Sequence, residues 1–309
     1  MPEASAPFDA RHDLSGIVAS LHTPFTVDDR IDEAALVRLV DHVASAGCTG
    51  VLASAVAGEV GSLRSDEREG LLEAVGNACR GRLRVVAGVS AAEPGVSLAL
   101  ARTATVLGAD MVLWQPPAGL AGSALQEALA RLGEVAPVML QDLDWHGDGL
   151  GLGTIVSLAE AVPGFQALKI ETAPAGPKYT AVRDALGDRL HLSGGWAAMQ
   201  MLDGLARGLD AFIPSGVLPA YCRIWRLWAA GERAEAQALF ERCLPILAFS
   251  NQDIGVSIAF WKRVRLAAGI FATDRCRPPV QPLDAVQAAI ADQLVQRIPA
   301  LDAAGDGGD

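Results

Sequence analysis

Lysine is scarce in this chain. Lys169, Lys178 and Lys262 are its only three, against 22 arginines in a Lys+Arg total of 25. Lys169 sits inside an apolar run, Phe165-Gln166-Ala167-Leu168-Lys169-Ile170-Glu171. A charged ammonium inside a buried strand is costly unless it is paired. A neutral amine in such a place can attack a carbonyl and form an imine. The residues alone also fit an inert buried lysine held by an ion pair with Glu171. Glu171 follows two residues later, so strand alternation puts both side chains on one face. It can then tune the lysine or move protons for it.

Further groups with chemical potential gather after the fifth run, in Gln141-Asp142-Leu143-Asp144-Trp145-His146. Gln141 can orient a substrate but cannot carry protons. Asp142, Asp144 and His146 can titrate, yet an acidic loop is equally a solvated one, and their spacing matches no standard metal-ligand pattern. Ser20 and His22 share one side of the first run, where His22 is a core residue or a site residue. Trp114 and Trp196 are core aromatics or walls of an apolar pocket. Lys178 is a solvated residue or an anion contact. Ser193-Gly194-Gly195 and Ser215-Gly216 lie near the ends of the last two runs, where barrel enzymes bind phosphate.

These residues must be positioned by a repeating scaffold. Eight short runs alternate with amphipathic stretches: Gly16–Leu21, Gly50–Ser54, Arg84–Val89, Met111–Gln115, Pro137–Gln141, Phe165–Glu171, Leu190–Gly194 and Asp210–Ser215. Most are apolar on both faces, as strands are when helices cover one side and a barrel interior the other. Asp32 is placed to cap a helix whose stripe is Leu36, Leu39, Val40 and Val43. Ser65 precedes a second stripe of Leu71, Leu72 and Val75. Gly47, Gly108 and Gly208 stand where helices need a left-handed closing residue. The pattern predicts an α/β fold, a (β/α)₈ TIM barrel over residues 14–218. No Gly-x-Gly-x-x-Gly follows the first run, which disfavours an open nucleotide-binding sheet. Three or four C-terminal helices, punctuated by Pro245 and Pro278-Pro279, are expected to pack on the barrel over 219–300. Residues 1–13 and 301–309 are expected to be flexible tails.

Of the 309 residues 51% are hydrophobic and 20% charged, enough for a large core. A net charge of −11 argues against nucleic acid or an anionic membrane as partner. Cys48, Cys79, Cys222, Cys243 and Cys276 are an odd number of widely spaced cysteines, which reads as reduced thiols in the cytoplasm. No basic-plus-apolar leader opens the sequence, and no apolar run is long enough to span a bilayer.

Several short motifs, in order, give the chain a family likeness. They are Thr23-Pro24-Phe25 after the first run, Gly58-Glu59 after the second, Ala87-Gly88-Val89 in the third, Pro116-Pro117 after the fourth, Lys169 in the sixth and Ser193-Gly194 in the seventh. With these over residues 14–270, the chain resembles the dihydrodipicolinate synthase / N-acetylneuraminate lyase family of class I aldolases. The resemblance implies a homo-oligomeric barrel, a tetramer or dimer, and a Schiff base between Lys169 and a 2-oxo acid such as pyruvate. No metal or organic cofactor is then needed, because the imine is itself the electron sink. The substrate is expected to meet Ser20, Val56, Ala57, Gln141, Asp142, Ser193, Gly194 and Ser215, with Glu171 beside Lys169 as the second catalytic residue.

The departures from that family are specific. Its Gly-Thr-Thr-Gly-Glu is here Ala55-Val56-Ala57-Gly58-Glu59, without either hydroxyl. Its proton-relaying tyrosine falls on Gln141, and Ala118-Gly119 replace the Tyr-Tyr after Pro-Pro. Neither Tyr179 nor Tyr221 matches a relay position. Dihydrodipicolinate synthase activity itself is therefore not expected. The readings left open are a divergent lyase on a 2-oxo acid, a catalytically impaired barrel that binds a metabolite or partner, and a phosphate-binding barrel enzyme.

Overall fold

A computed structural model describes residues 8–306 of the protein. Each apolar run forms a strand: β1 (Gly16–Ser20), β2 (Gly50–Ala53), β3 (Arg84–Gly88), β4 (Met111–Trp114), β5 (Val138–Asp144), β6 (Phe165–Thr172), β7 (His191–Gly194) and β8 (Ala211–Phe212). They pair in parallel and in chain order, and β8 returns to β1 to close the barrel. After β1 to β7 come α2 (Glu33–Ser45), α3 (Ser65–Cys79), α4 (Pro94–Val106), α5 (Gly122–Gly133), α6 (Leu152–Ala161), α7 (Gly176–Leu186) and α8 (Met201–Ala206). The Asp32 carboxylate accepts the Ala35 N–H at 2.9 Å and starts α2 as expected. Gly47, Gly108 and Gly208 all have positive φ at their helix ends.

The two-sided burial explains the strand composition. Outward-facing side chains such as Val51, Val85, Val112, Leu140, Leu168 and Leu192 pack under the helices. Val18, Leu52, Val86, Met111, Leu113, Met139 and Ala167 fill the interior. Each fully buried aliphatic of this kind contributes about 1.5–3 kcal/mol. The interior is thus a packed floor, and the site lies above it, at the strands' C-terminal ends.

β5 and β6 outrun the other strands. Their ladder runs from Gln141↔Lys169 through Leu143↔Glu171 to Asp144↔Thr172, beyond the ends of the apolar runs at Gln141 and Glu171. This extension lifts Gln141, Lys169 and Glu171 above the floor.

Both tails differ from expectation where they are described. Residues Ala10–Asp13 form a helical turn, α1, because Asp9 caps it and because Ala10 and Leu14 plug the N-terminal mouth of the barrel. At the other end α13 (Ile298–Asp306) docks with Ile298 and Leu301 buried. Residues 1–7 and 307–309 lie outside the described part. Between β8 and α13 come α9 (Leu218–Ala229), α10 (Arg233–Ser250), α11 (Ile254–Ala267) and α12 (Ala285–Val295), so among the described residues the extension holds five helices and not three or four. Pro245 does not punctuate: it lies inside α10, on its exposed face, where water can satisfy the carbonyl that loses its partner. No single helix among the described residues is long and apolar enough to cross a membrane.

Candidate active site

A cavity of about 320 Å³ opens at the C-terminal end of the barrel. Ser20, Gln141, Leu143, Lys169, Glu171, Ile213 and Ser215 reach it from the strands and the segments just after them. Val56 and Ala57 line it from a short 3₁₀ turn after β2, and Trp145, His146, Trp196 and Ala197 from the loops after β5 and β7. Asn251, Gln252, Asp253, Ile254 and Ser257, where α10 turns into α11, close its remaining side.

Lys169 and Glu171 stand together at its base, with Nζ 2.8 Å from Oε2. Gln141 Nε2 donates to the same oxygen at 2.6 Å, and the Trp196 N–H donates to Oε1 at 2.9 Å. Burial opposes charge on Glu171, but the Lys169 ammonium, then the hydrogen bonds, outweigh it and hold the carboxyl below its ordinary range. The lysine and the hydrogen bonds thus favour the ionised form of the carboxyl over the effect of burial.

Backbone geometry serves this carboxylate. At Gly195 any Cβ would run into Oε1, Cδ and Cγ of Glu171, so only glycine admits the carboxylate there. Trp196, Ala197 and Ala198 follow with φ of 53°, 52° and 58°. The left-handed region costs L-residues about 1–2 kcal/mol each. Two bonds offset part of this: Trp196 N–H to Glu171, and the Tyr221 hydroxyl donating to the Ala197 carbonyl at 2.8 Å. Tyr221, on α9, is therefore a support for the site and not a proton relay.

Of the expected substrate contacts, Ser20, Val56, Ala57, Gln141 and Ser215 line the cavity. Asp142, Ser193 and Gly194 do not. Asp142 alternates with Gln141 and so points outward, where it pairs with Lys178 and accepts the Leu150 N–H at 2.8 Å. Ser193 is wholly buried in the barrel interior, its hydroxyl 4.0 Å from the Met139 sulfur. Gly194 abuts Phe212 and the Tyr179 hydroxyl, on the outer face of β7. The Asp144 carboxylate takes N–H groups of its own loop, from His146 at 3.0 Å and Gly149 at 3.3 Å. Among the described residues no three His, Cys, Asp or Glu side chains gather as a metal site.

Trp114 is core, and so is His22. Burial, reinforced by Arg265 and Lys262, keeps His22 well below the usual histidine range. Trp196 is a wall, set edge to face against Trp145.

All three lysines face carboxylates: Lys169 with Glu171, Lys178 with Asp142, and Lys262 with Glu59. Pairing therefore does not single out Lys169; its place in the cavity does. Lys262 is fully buried, donates to the Arg275 carbonyl at 2.8 Å and sits 4.2 Å over the Phe25 ring. Glu59 also accepts the Arg277 N–H at 2.7 Å, while the Arg277 guanidinium grips Glu67. Thr23 Oγ1 donates to the Gly58 carbonyl at 2.6 Å. This clasp fixes the Val56–Glu59 turn from both the β1 loop and the C-terminal arm.

Comparison with known proteins agrees with this architecture. Residues 13–298 match the dihydrodipicolinate synthetase family. An L-2-keto-3-deoxyarabonate dehydratase of Azospirillum brasilense is 28% identical over 294 residues, 92% of each chain. A 4-hydroxy-tetrahydrodipicolinate synthase of Xanthomonas axonopodis pv. citri is 32% identical over 305 residues, covering 94% of this chain and 96% of the relative. The crystal structure of a dihydrodipicolinate synthase from Rhodopseudomonas palustris superposes with a TM-score of 0.86 at 25% identity, over 95% of this chain and all of the other. The sialic acid aldolase of Ruminococcus gnavus shares the fold, with a TM-score of 0.85 at 19% identity over 94% of this chain and 99% of its own. With its parallel barrel and C-terminal helices, the chain belongs to the dihydrodipicolinate synthetase family, a family of class I lyases that work through a lysine imine.

Proposed function

We propose that this protein is a lyase in which Lys169 forms an imine with a 2-oxo acid and Glu171 moves the protons. The observation that carries it is the Lys169–Glu171 pair, 2.8 Å apart at the base of an open cavity. Glu171 takes one proton from the ammonium, and the freed amine attacks C2 of the substrate. The carbinolamine then receives that proton on its hydroxyl and loses water, leaving a protonated imine and an ionised Glu171. That imine accepts the electron pair released when a C3 proton leaves or when the C3–C4 bond breaks. Dehydration, hydration and aldol chemistry are all open to the enamine so formed. Gln141, where the family's tyrosine falls, cannot relay protons and instead donates to Glu171, so the proton relay in this reading is the carboxylate.

The substrate carboxylate is assigned to the opposite wall, which Ser20, Ser215 and the Val56–Ala57 turn line. The electron sink is the imine, so no added cofactor enters the proposal. A homo-oligomer, tetramer or dimer, in the cytoplasm belongs to the same reading, with five unpaired cysteines in keeping with a reducing compartment. Borohydride reduction with pyruvate, followed by digestion and mass spectrometry, tests it: the expected adduct is on Lys169. An adduct confined to Lys178 or Lys262, or none with any 2-oxo acid, leaves a metabolite-binding barrel instead.

A further inference from the structure

The cavity has two unlike sides. The β5–β7 side presents Leu143, Trp145, Trp196 and Ala197 around Glu171 and Gln141, which bond each other, with His146 at the loop edge. The opposite side, from β1, the turn after β2 and the α10–α11 link, presents Ser20, Val56, Ala57, Asn251 and Ser257. Trp145 and Trp196 meet edge to face, with ring centroids 5.7 Å apart and planes at 64°. Trp145 is 42% exposed, a large apolar surface left open at the cavity mouth. Trp196 is held rigidly by the left-handed turn, its bond to Glu171 and the Tyr221 support.

The chemistry fixes how a substrate threads between these sides. The imine joins Nζ to C2. The residue that moves protons must reach the hydrogens on C3 or the hydroxyl on C4. Asp253, the other carboxylate on the wall, accepts the Gly255 N–H at 2.7 Å as the cap of α11, whereas Glu171 touches Lys169. C3 and C4 therefore lie on the Glu171 side, and the chain beyond C4 runs beneath the two tryptophans. C1, the carboxylate carbon, turns towards Ser20 and the Val56–Ala57 turn. On its path the C4 substituent meets Leu143, Ala197 and indole rings. A polyhydroxylated tail would lose water there to two indole faces, Leu143 and Ala197, with His146 beside it and the Gln141 amide already bonded to Glu171, whereas an aromatic ring would gain apolar and ring–ring contact.

Building on Lys169 as the imine-forming residue, we infer that the substrate class is a 2-oxo acid with an aryl group at C4, a 4-aryl-4-hydroxy-2-oxobutanoate. In the cleavage direction, Glu171 takes the C4 hydroxyl proton and the C3–C4 electron pair moves into the imine. The aryl aldehyde departs, Glu171 returns the proton to C3 of the enamine, and water releases pyruvate from Lys169. The sum is one aryl hydroxy-oxo acid giving one aldehyde and one pyruvate, with no outside oxidant or reductant.

The test compares kcat/KM on 4-hydroxy-2-oxo-4-phenylbutanoate with that on a polyhydroxylated six-carbon 3-deoxy-2-oxo acid. Pyruvate release and loss of water are both followed, alongside borohydride trapping of each acid and of pyruvate. The aryl acid is expected to be preferred at least about tenfold, on the scale by which apolar pockets discriminate. Trp145→Ala, at an exposed position, is expected to lower kcat/KM for the aryl acid about tenfold and so to narrow that ratio. Adducts on Lys169 with the polyhydroxylated acid equal or preferred would overturn the aryl assignment and leave the imine reading standing. An unchanged ratio in Trp145→Ala would overturn the tryptophan wall as its cause. Absence of any Lys169 adduct would overturn the imine reading and this assignment with it.

Discussion

Gly195→Ala replaces one hydrogen with a methyl group at the point where the backbone after β7 touches Glu171. The added Cβ would lie well inside 3.0 Å of Oε1, Cδ and Cγ, closer than Cβ atoms are found to real neighbours. Relief needs the carboxyl to retreat by about 1 Å, because backbone and strand on either side are packed. That retreat stretches the 2.9 Å contact to the Trp196 N–H and distorts the 2.6 and 2.8 Å contacts to Gln141 and Lys169. A displacement of this size costs about 10²-fold in rate, and complete loss of a general acid–base group roughly 10²–10⁴-fold. The assay is exchange of pyruvate methyl protons for deuterium, followed by proton NMR, since it needs only imine and enamine. Gly195→Ala should slow exchange about 100-fold while borohydride still labels Lys169. If Gly195 acts through Glu171, Gly195→Ala combined with Glu171→Gln should be no slower than Glu171→Gln alone. Exchange within about threefold of the parent, or losses that multiply in the double variant, would refute the reasoning.

Three further outcomes follow from the same contacts. Lys169→Ala should lose both adduct and exchange, and should melt lower because Glu171 stays buried without its counter-charge, a cost of about 1–3 kcal/mol that Glu171→Gln partly restores. Lys178→Met should cost roughly 3 kcal/mol in denaturant unfolding by stranding Asp142, while Asp142→Asn should still trap pyruvate; failure of that trapping would return Asp142 to the substrate site. His191, wholly buried, is pushed down by burial to about 4, from about 6.5 for an ordinary histidine, so the folded state refuses a proton that the unfolded chain accepts. Its contribution is intact above pH 6.5 and lost as pH falls to about 4, at most about 3 kcal/mol; His191→Leu should flatten that acid limb in thermal melts, and an unaltered limb would contradict the assignment.

The barrel was legible because each strand is buried on both faces and announces itself as an apolar run. Strand ends were less so: β5 runs on to Asp144 through polar residues, where its partner is Thr172 and no hydrophobicity marks the ladder. Lys169 and Glu171 were visible because two charges in an apolar strand need a reason. Asp142 and Ser193 show the limit of such reading. One residue of phase turns Asp142 away from the cavity, and one layer of depth sinks Ser193 beneath its floor. Asn251, Gln252 and Ser257 were missed altogether. Ser250-Asn251-Gln252-Asp253 reads as a polar turn between helices, but nothing local says that the turn folds back over the barrel mouth. Tyr221 was dismissed as a relay for lack of a motif, and its structural part depends on a backbone carbonyl that no side-chain pattern encodes.

The clasp between Glu59 and the C-terminal arm also sets an order of events during synthesis. Glu59 and Arg277 are 218 residues apart in the chain. At translation speeds of about 5–20 residues per second, roughly 10–40 s separate the appearance of the carboxylate from that of its partners. Through that interval the turn that carries Val56 and Ala57 has a carboxylate that cannot be buried unpaired. The mouth of the nascent barrel must therefore stay wet until α11 and Arg277 arrive. A chain ending before residue 262 would carry Lys169 and Glu171 on a barrel whose Val56–Ala57 wall lacks both partners of Glu59.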